Sequence, residues 1–221
     1  MAFSSVLGAS SVIKPGVVTT ATRPSSPFVG QLIYDTTVSQ TLVWNGSAWI
    51  VQTGGLVYIT GTTFSAASTV SLPASTFSTT YSNYKIMFDI TAASVNNEPL
   101  RARLRIAGAD NTTSNYVNTA IGALASADTI CYSRIDFGTA FIFGYLNSID
   151  MNALTLDLIS PFVAQATKVF SAAMGRNSGG GVAPHVGGGA FNAATSFDAL
   201  SVYPSSGTIT GSYKVYGYAN A

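Results

Sequence analysis

From Leu56 to the C-terminal end, short β-rich runs recur between turn residues, and no segment shows a convincing helical period; this pattern limits the possible folds more than any other feature. The runs are Leu56 to Thr60, Thr69 to Leu72, Tyr84 to Ile90, Leu100 to Ile106, Thr139 to Leu146, Leu154 to Ile159, Thr167 to Met174, Ala199 to Tyr203 and Thr208 to Tyr218. In Arg101-Ala102-Arg103-Leu104-Arg105-Ile106 and Ser212-Tyr213-Lys214-Val215-Tyr216-Gly217-Tyr218, successive side chains sort onto opposite faces, as a half-buried strand requires. Val117 to Ala127 makes a short helix at most. The expected fold is all-β, with an antiparallel, jelly-roll-like β-sandwich of about eight strands over residues 56–221.

Upstream, residues 1–29 read as an extended N-terminal arm. Lys14 to Pro27 carries Pro15, Pro24 and Pro27, which remove backbone donors and disfavour helix; an ordinary exposed linker would look the same. Residues 30–55 read as a small β-meander: Gly30 to Thr37, Gln40 to Trp44 and Ala48 to Val51 are strand-like, and Asn45-Gly46 is a strong hairpin signal. So few strands are marginal alone, so Trp44 and Trp49 are expected to pack on a larger body, a symmetry mate or a neighbouring protein.

Only 9% of the 221 residues are charged, against about a quarter in an average soluble domain. Much of the surface is therefore expected to be covered by copies of the chain or by neighbours. A net charge of +1 and the lack of any dense Lys/Arg run argue against nucleic acid as a partner. The single Cys131 allows neither an internal disulfide nor a thiolate metal site. Met1 to Ile13 has no basic residue ahead of its apolar stretch, unlike a secretory signal. No run reaches the roughly 18 apolar residues of a membrane span, so membrane insertion is not expected.

Arg23-Pro24-Ser25-Ser26-Pro27, Gly30-Gln31-Leu32-Ile33-Tyr34-Asp35 and Leu42-Val43-Trp44-Asn45-Gly46-Ser47-Ala48-Trp49 together resemble a module of phage tail-fibre and minor virion proteins. A second resemblance lies in Phe77-Ser78, Tyr81-Ser82-Asn83-Tyr84-Lys85-Ile86, the arginine-rich strand, Asp110-Asn111-Thr112 before Tyr116, Ser206-Gly207-Thr208 and Lys214-Val215-Tyr216-Gly217. It is to the β-sandwich domain of many phage structural proteins, including head-fibre and decoration proteins. The resemblance implies a virion-attached, often trimeric protein with no catalytic residues to carry over. The shaft repeats of long fibres are not visible here.

The residues offer little to catalysis. The only histidine, His185, would have to serve any Ser-His-Asp triad, yet it lies between Gly179-Gly180-Gly181 and Gly187-Gly188-Gly189, which reads as a flexible surface or inter-subunit loop. Those glycines are followed by no Gly-Lys-Ser/Thr, so they form no phosphate-binding loop. Glycoside hydrolysis needs paired carboxylates, but Glu98 is the only glutamate, and Asp35, Asp110, Asp128, Asp136 and Asp150 lie singly at turns or strand ends. Asp110-Asn111-Thr112 reads as a turn before it reads as a calcium loop.

Two features point to recognition. Arg101, Arg103 and Arg105 share one face of one strand and repel one another unless answered. The face is either neutralised by Asp residues of neighbouring strands, or it contacts a subunit or an anionic host sugar through bidentate guanidinium hydrogen bonds. Tyr213, Tyr216 and Tyr218 could stack on sugar, although packing explains such tyrosines more simply. The sequons at Asn45 and Asn111 fit hairpin and turn positions.

The expected protein is thus a non-enzymatic phage virion component with no catalytic, cofactor-binding or metal-ligating residues. It would be a short trimeric fibre that anchors by its N-terminal part and contacts the host surface by its sandwich. Its partners would be itself, other tail or capsid proteins and host surface polysaccharide. The alternative is a capsid decoration (cement) protein or head fibre bridging capsid subunits.

Overall fold

The computed structural model describes residues 16–52, 55–96, 98–124, 129–146, 152–176 and 182–219. The chain divides into two compact units at Gly54/Gly55, and it is all-β.

The first unit is a four-stranded sheet in the order β1-β2-β3-β4, formed by β1 (Gly16–Val18), β2 (Leu32–Asp35), β3 (Gln40–Trp44) and β4 (Trp49–Val51). β1 runs parallel to β2 and the other pairs are antiparallel. The arm expected over residues 1–29 therefore contributes a strand to this sheet, followed by a 3-10 turn at Thr20–Thr22, as far as it is described. The Asn-Gly signal is realised as a turn: Gly46 has φ +102°, and the Asn45 side-chain carbonyl accepts from the backbone N–H groups of Ser47 (2.9 Å) and Ala48 (2.8 Å). Trp44 and Trp49 face each other across β3 and β4 with ring centroids 5.6 Å apart, so these tryptophans pack on one another.

Asp35 closes this small sheet. Its side chain is fully buried and accepts from Arg23 Nε (2.7 Å), Thr20 Oγ1 (3.0 Å) and the Thr37 N–H (2.8 Å). Desolvation pushes its pKa up, but the Arg23 guanidinium and the Thr37 and Thr20 donors outweigh it and hold the carboxyl below its ordinary value.

The second unit contains β5 (Leu56–Ala67), β6 (Val70–Ser71), β7 (Asn83–Ala93), β8 (Glu98–Ile106), β9 (Ala109–Asp110), β10 (Tyr116–Leu124), β11 (Thr129–Gly138), β12 (Phe141–Leu146), β13 (Asn152–Ile159), β14 (Gln165–Arg176), β15 (Val182–Thr195), β16 (Ala199–Pro204) and β17 (Ile209–Tyr218). An eight-stranded antiparallel sheet has the order β11-β10-β15-β14-β13-β7-β17-β5; a five-stranded sheet has the order β12-β8-β16-β6, with β9 paired to β8. Every run expected from the sequence is a strand here, and the sandwich is as expected.

Three further strands depart from expectation. Val117 to Ala127 is not helix: its described part is β10. The stretch around His185, expected to be a loop, is β15, an interior strand; Gly179 to Gly181 lie outside the described residues. With β11 as well, the sandwich has more than the expected eight strands.

Buried side chains from both sheets fill the space between them. Phe197, Phe191, Tyr116, Phe141 and Phe143 form a chain of ring contacts with successive centroids 4.9, 5.0, 4.8 and 5.7 Å apart. The buried phenols are satisfied: Tyr84 accepts from the Ser78 N–H (2.7 Å) and donates to its carbonyl, and Tyr116 accepts from the Leu104 N–H (3.1 Å) and donates to the Asn111 carbonyl (2.8 Å).

β15 approaches β10 so closely that only glycine fits at two positions. A Cβ on Gly189 would lie 2.4 Å from the Val117 carbonyl oxygen, and one on Gly187 2.5 Å from that of Thr119. Gly188 points the other way, where a Cβ would meet nothing nearer than 3.5 Å.

Two outcomes follow. Gly189→Ala is expected to destabilise the sandwich by about 1–3 kcal/mol through overpacking, whereas Gly188→Ala is neutral within about 0.5 kcal/mol or stabilising; urea unfolding followed by circular dichroism compares them. Asp35→Asn is expected to lower the unfolding midpoint of the first unit, read by fluorescence because both tryptophans lie in it. Since the folded carboxyl titrates below its ordinary 3.8, the wild-type stabilisation is complete above that value and is lost as pH falls through the lower folded value. The asparagine variant should lack this acid-dependent loss.

Candidate functional site

The alternation of β8 buries Leu100, Ala102 and Leu104 and leaves Arg101, Arg103 and Arg105 half-buried on the outer face of the five-stranded sheet. Neighbouring strands complete this face: register places Tyr203, Ser201 and Ala199 of β16 beside Arg101, Arg103 and Arg105, Ile142 of β12 beside Arg101, and Asp110 of β9 beside Arg105.

The three arginines are treated differently. Arg105 is ion-paired: its Nε lies 3.0 Å from Asp110 Oδ1, although this enclosed Nε makes no aligned hydrogen bond, and its terminal nitrogens donate to the carbonyls of Leu72 (3.4 Å) and Gly108. Ser201 donates to the same Asp110 oxygen at 2.8 Å. Arg103 donates from Nε to the Thr139 carbonyl (3.1 Å) and lies over the Tyr203 ring, 5.0 Å from its centroid. Arg101 has an enclosed Nε with no hydrogen-bond partner among the described residues, and the Tyr203 hydroxyl is enclosed and unpartnered in the same way. Burial raises the Tyr203 pKa, against the opposing pull of Arg103 and Arg101. Where the chain passes from β11 to β12, a cavity of about 220 Å³ is lined by Arg101, Gly138, Thr139, Ala140 and Ile142.

Among the described residues, neutralisation by aspartates of neighbouring strands thus holds for Arg105 alone of the stripe. Tyr203 and Thr139 complete the site and were missed from the sequence, because only the strand pairing of β16 and the turn before β12 bring them beside the stripe.

The other candidates are dispersed. His185 is buried in β15, with its ring against Gly122 and Gly144 and 6.1 Å from that of Tyr145. Among the described residues, no group of three His, Cys, Asp or Glu side chains is placed to hold a metal. Asp110 is taken up by Arg105 and Ser201, and Asn111 closes a turn by accepting from the Thr113 N–H (3.0 Å). Glu98 begins β8, Asp136 falls on β11, and Asp128 and Asp150 lie outside the described residues.

The tyrosines divide. Tyr213 is buried against Phe88, at 5.6 Å between centroids, while Tyr216 packs edge-on to the exposed Tyr58 at 5.8 Å. Tyr218 donates to Asp157, which also receives Lys85 Nζ at 3.0 Å on each carboxylate oxygen. Desolvation lowers the Lys85 pKa, but the Asp157 carboxylate outweighs it and holds the ammonium above its ordinary value. The hydrogen bond to Asp157, aided by burial, raises that of Tyr218.

Compared with known proteins, the chain matches no family model, and no curated protein or solved structure is significantly similar to it.

The unequal treatment of the arginines has a measurable consequence. Arg105→Gln is expected to cost about 1–3 kcal/mol, because it leaves Asp110 without its cation. Arg101→Gln is expected to change stability by no more than about 0.5 kcal/mol, since it removes no ion pair among the described residues. Chemical denaturation of the two variants, followed by circular dichroism, makes the comparison.

Proposed function

We propose that the chain is a non-enzymatic structural component of a tailed-phage particle, a short trimeric appendage that anchors by its N-terminal unit and contacts the host surface by its sandwich. The observation that carries this reading is uncovered apolar surface on both units. On the large sheet, register aligns Ile121 of β10, Val186 of β15 and Ala172 of β14, with Phe170 and Met174 flanking Ala172 on the same strand face. Ile121 is 51% exposed, and Val186 and Phe170 are each 61% exposed. On the first unit, Val17, Phe28 and Val29 are exposed to about 70%.

Contiguous apolar surface of this kind marks interaction faces. The low charge of the chain supports the same reading, because a surface covered on assembly does not need charge to remain in solution. The resemblance of residues 23–49 and of the sandwich to phage structural proteins supplies the particle.

Quantitative mass spectrometry of purified particles tests the assignment. A ratio to the major capsid protein of a few per cent is expected of an appendage. A ratio approaching one would make the chain a head-decorating cement protein instead, and absence from the particles would overturn both readings.

A further inference from the structure

The outer face of the five-stranded sheet carries a cationic group that the described protein leaves unanswered. A guanidinium N–H enclosed by protein without an acceptor is costly, and such a group calls for an unseen partner or a function. At Arg101 this enclosed Nε belongs to a side chain lining an open cavity, and the unpartnered hydroxyl of Tyr203 stands on the adjacent strand position. Arg103 adds a second positive charge beside them, fixed by the Thr139 carbonyl and the Tyr203 ring.

The described carboxylates do not answer Arg101. Among the described residues, Asp35, Asp157 and Asp110 are committed to Arg23, Lys85 and Arg105, Asp198 accepts the Ala107 N–H at 3.0 Å through Oδ2, and Asp89 and Glu98 form no ion pair with Arg101.

We propose that Arg101, with Arg103 and Tyr203 beside it, forms an oxyanion-binding site that takes a carboxylate group, such as an acidic polysaccharide carries. The planar fork of a guanidinium matches a carboxylate in bidentate fashion, and Arg101 is the charged side chain that lines the cavity. A cavity of about 220 Å³ lies below the usual range of sites for drug-sized molecules, so it suits one charged group or sugar unit of a longer polymer. With a net charge of +1 over the whole chain, retention on an anionic polymer would reflect this local group rather than a general positive field.

The test is binding of the full chain to immobilised polygalacturonate, with neutral dextran as the blank and free acetate and free phosphate as competitors. Wild type is expected to bind polygalacturonate and not dextran. Arg101→Gln should weaken binding about tenfold or more, the effect of losing charge-assisted hydrogen bonds. Arg101→Lys, which keeps the charge but loses the fork, should also weaken it. Lys214→Gln, a charge-matched change at an exposed position of the large sheet, should stay close to wild type.

Displacement by millimolar acetate or phosphate would support the site and assign it to free small anions; resistance to both would assign it to the polymer. No binding to polygalacturonate, or equal losses in Arg101→Gln and Lys214→Gln, would overturn the proposal. Either failure would leave the particle assignment untouched, whereas absence from purified particles would do the reverse.

Discussion

The sandwich depends on how the edge strand β12 of the smaller sheet is held against the larger one. An edge strand buried on its free side presents backbone donors and acceptors that water cannot reach. Asn118 of β10 meets that need. Its Nδ2 donates to the Ile142 carbonyl at 2.7 Å, and its Oδ1 accepts the Ile142 N–H at 3.3 Å, so one side-chain amide stands in for a neighbouring strand. The tie falls at the bulge of β12, between Ile142 and Gly144, where register against β8 shifts by a residue and both Phe141 and Phe143 are turned into the core. Beyond it Gly144, at φ +148°, passes over the His185 ring, where a Cβ would stand 3.3 Å from Ala173 and 3.4 Å from His185 Nδ1.

This junction also explains which parts of the fold were legible in the sequence. β7, β8, β13 and β17 put large apolar side chains on the core face and polar ones outside, so alternation identified them directly. β10 inverts the rule. Its core face carries Tyr116, Asn118, Ala120 and Gly122, and its outer face exposes Ile121. β15 does the same, with His185, Gly187, Gly189 and Phe191 inward and Val186 outward. Where strands approach within reach of a glycine Cβ, the inward positions must be small. Where an edge strand must be satisfied, one must be polar. A reading based on apolar periodicity is blind to both requirements, so β10 resembled a short helix and β15 a glycine loop.

The N-terminal sheet shows a similar division between what is local and what is not. Asn45-Gly46 and the flanking runs specify the β3–β4 hairpin through neighbouring residues alone. The parallel pairing of β1 with β2, and the burial of Asp35 under Arg23 and Thr20, join residues separated by more than a turn, and the prolines between them point only to extended chain. Arg23 and Asp35 were conspicuous as members of a recurring module; their ion pair supplies a physical reason for their joint presence.

Charge placement separates structural clusters from the candidate site. Lys85, Asp157 and Tyr218 are paired on the outer face of the large sheet, as Arg105, Asp110 and Ser201 are on the smaller one. In both, a carboxylate anchors a cation and accepts a hydroxyl, which is what a group needs to remain partly buried without a ligand. Arg101 has a neighbouring cation, a neighbouring phenol and a cavity, but no anion among the described residues. In a chain with only ten basic and nine acidic residues, this departure from pairing stands out against the clusters around it. The stripe visible in the sequence is therefore two things in the folded protein: Arg105 belongs to the scaffold of β8 and β9, while Arg101 and Arg103 form a positively charged surface whose complement lies outside the described chain.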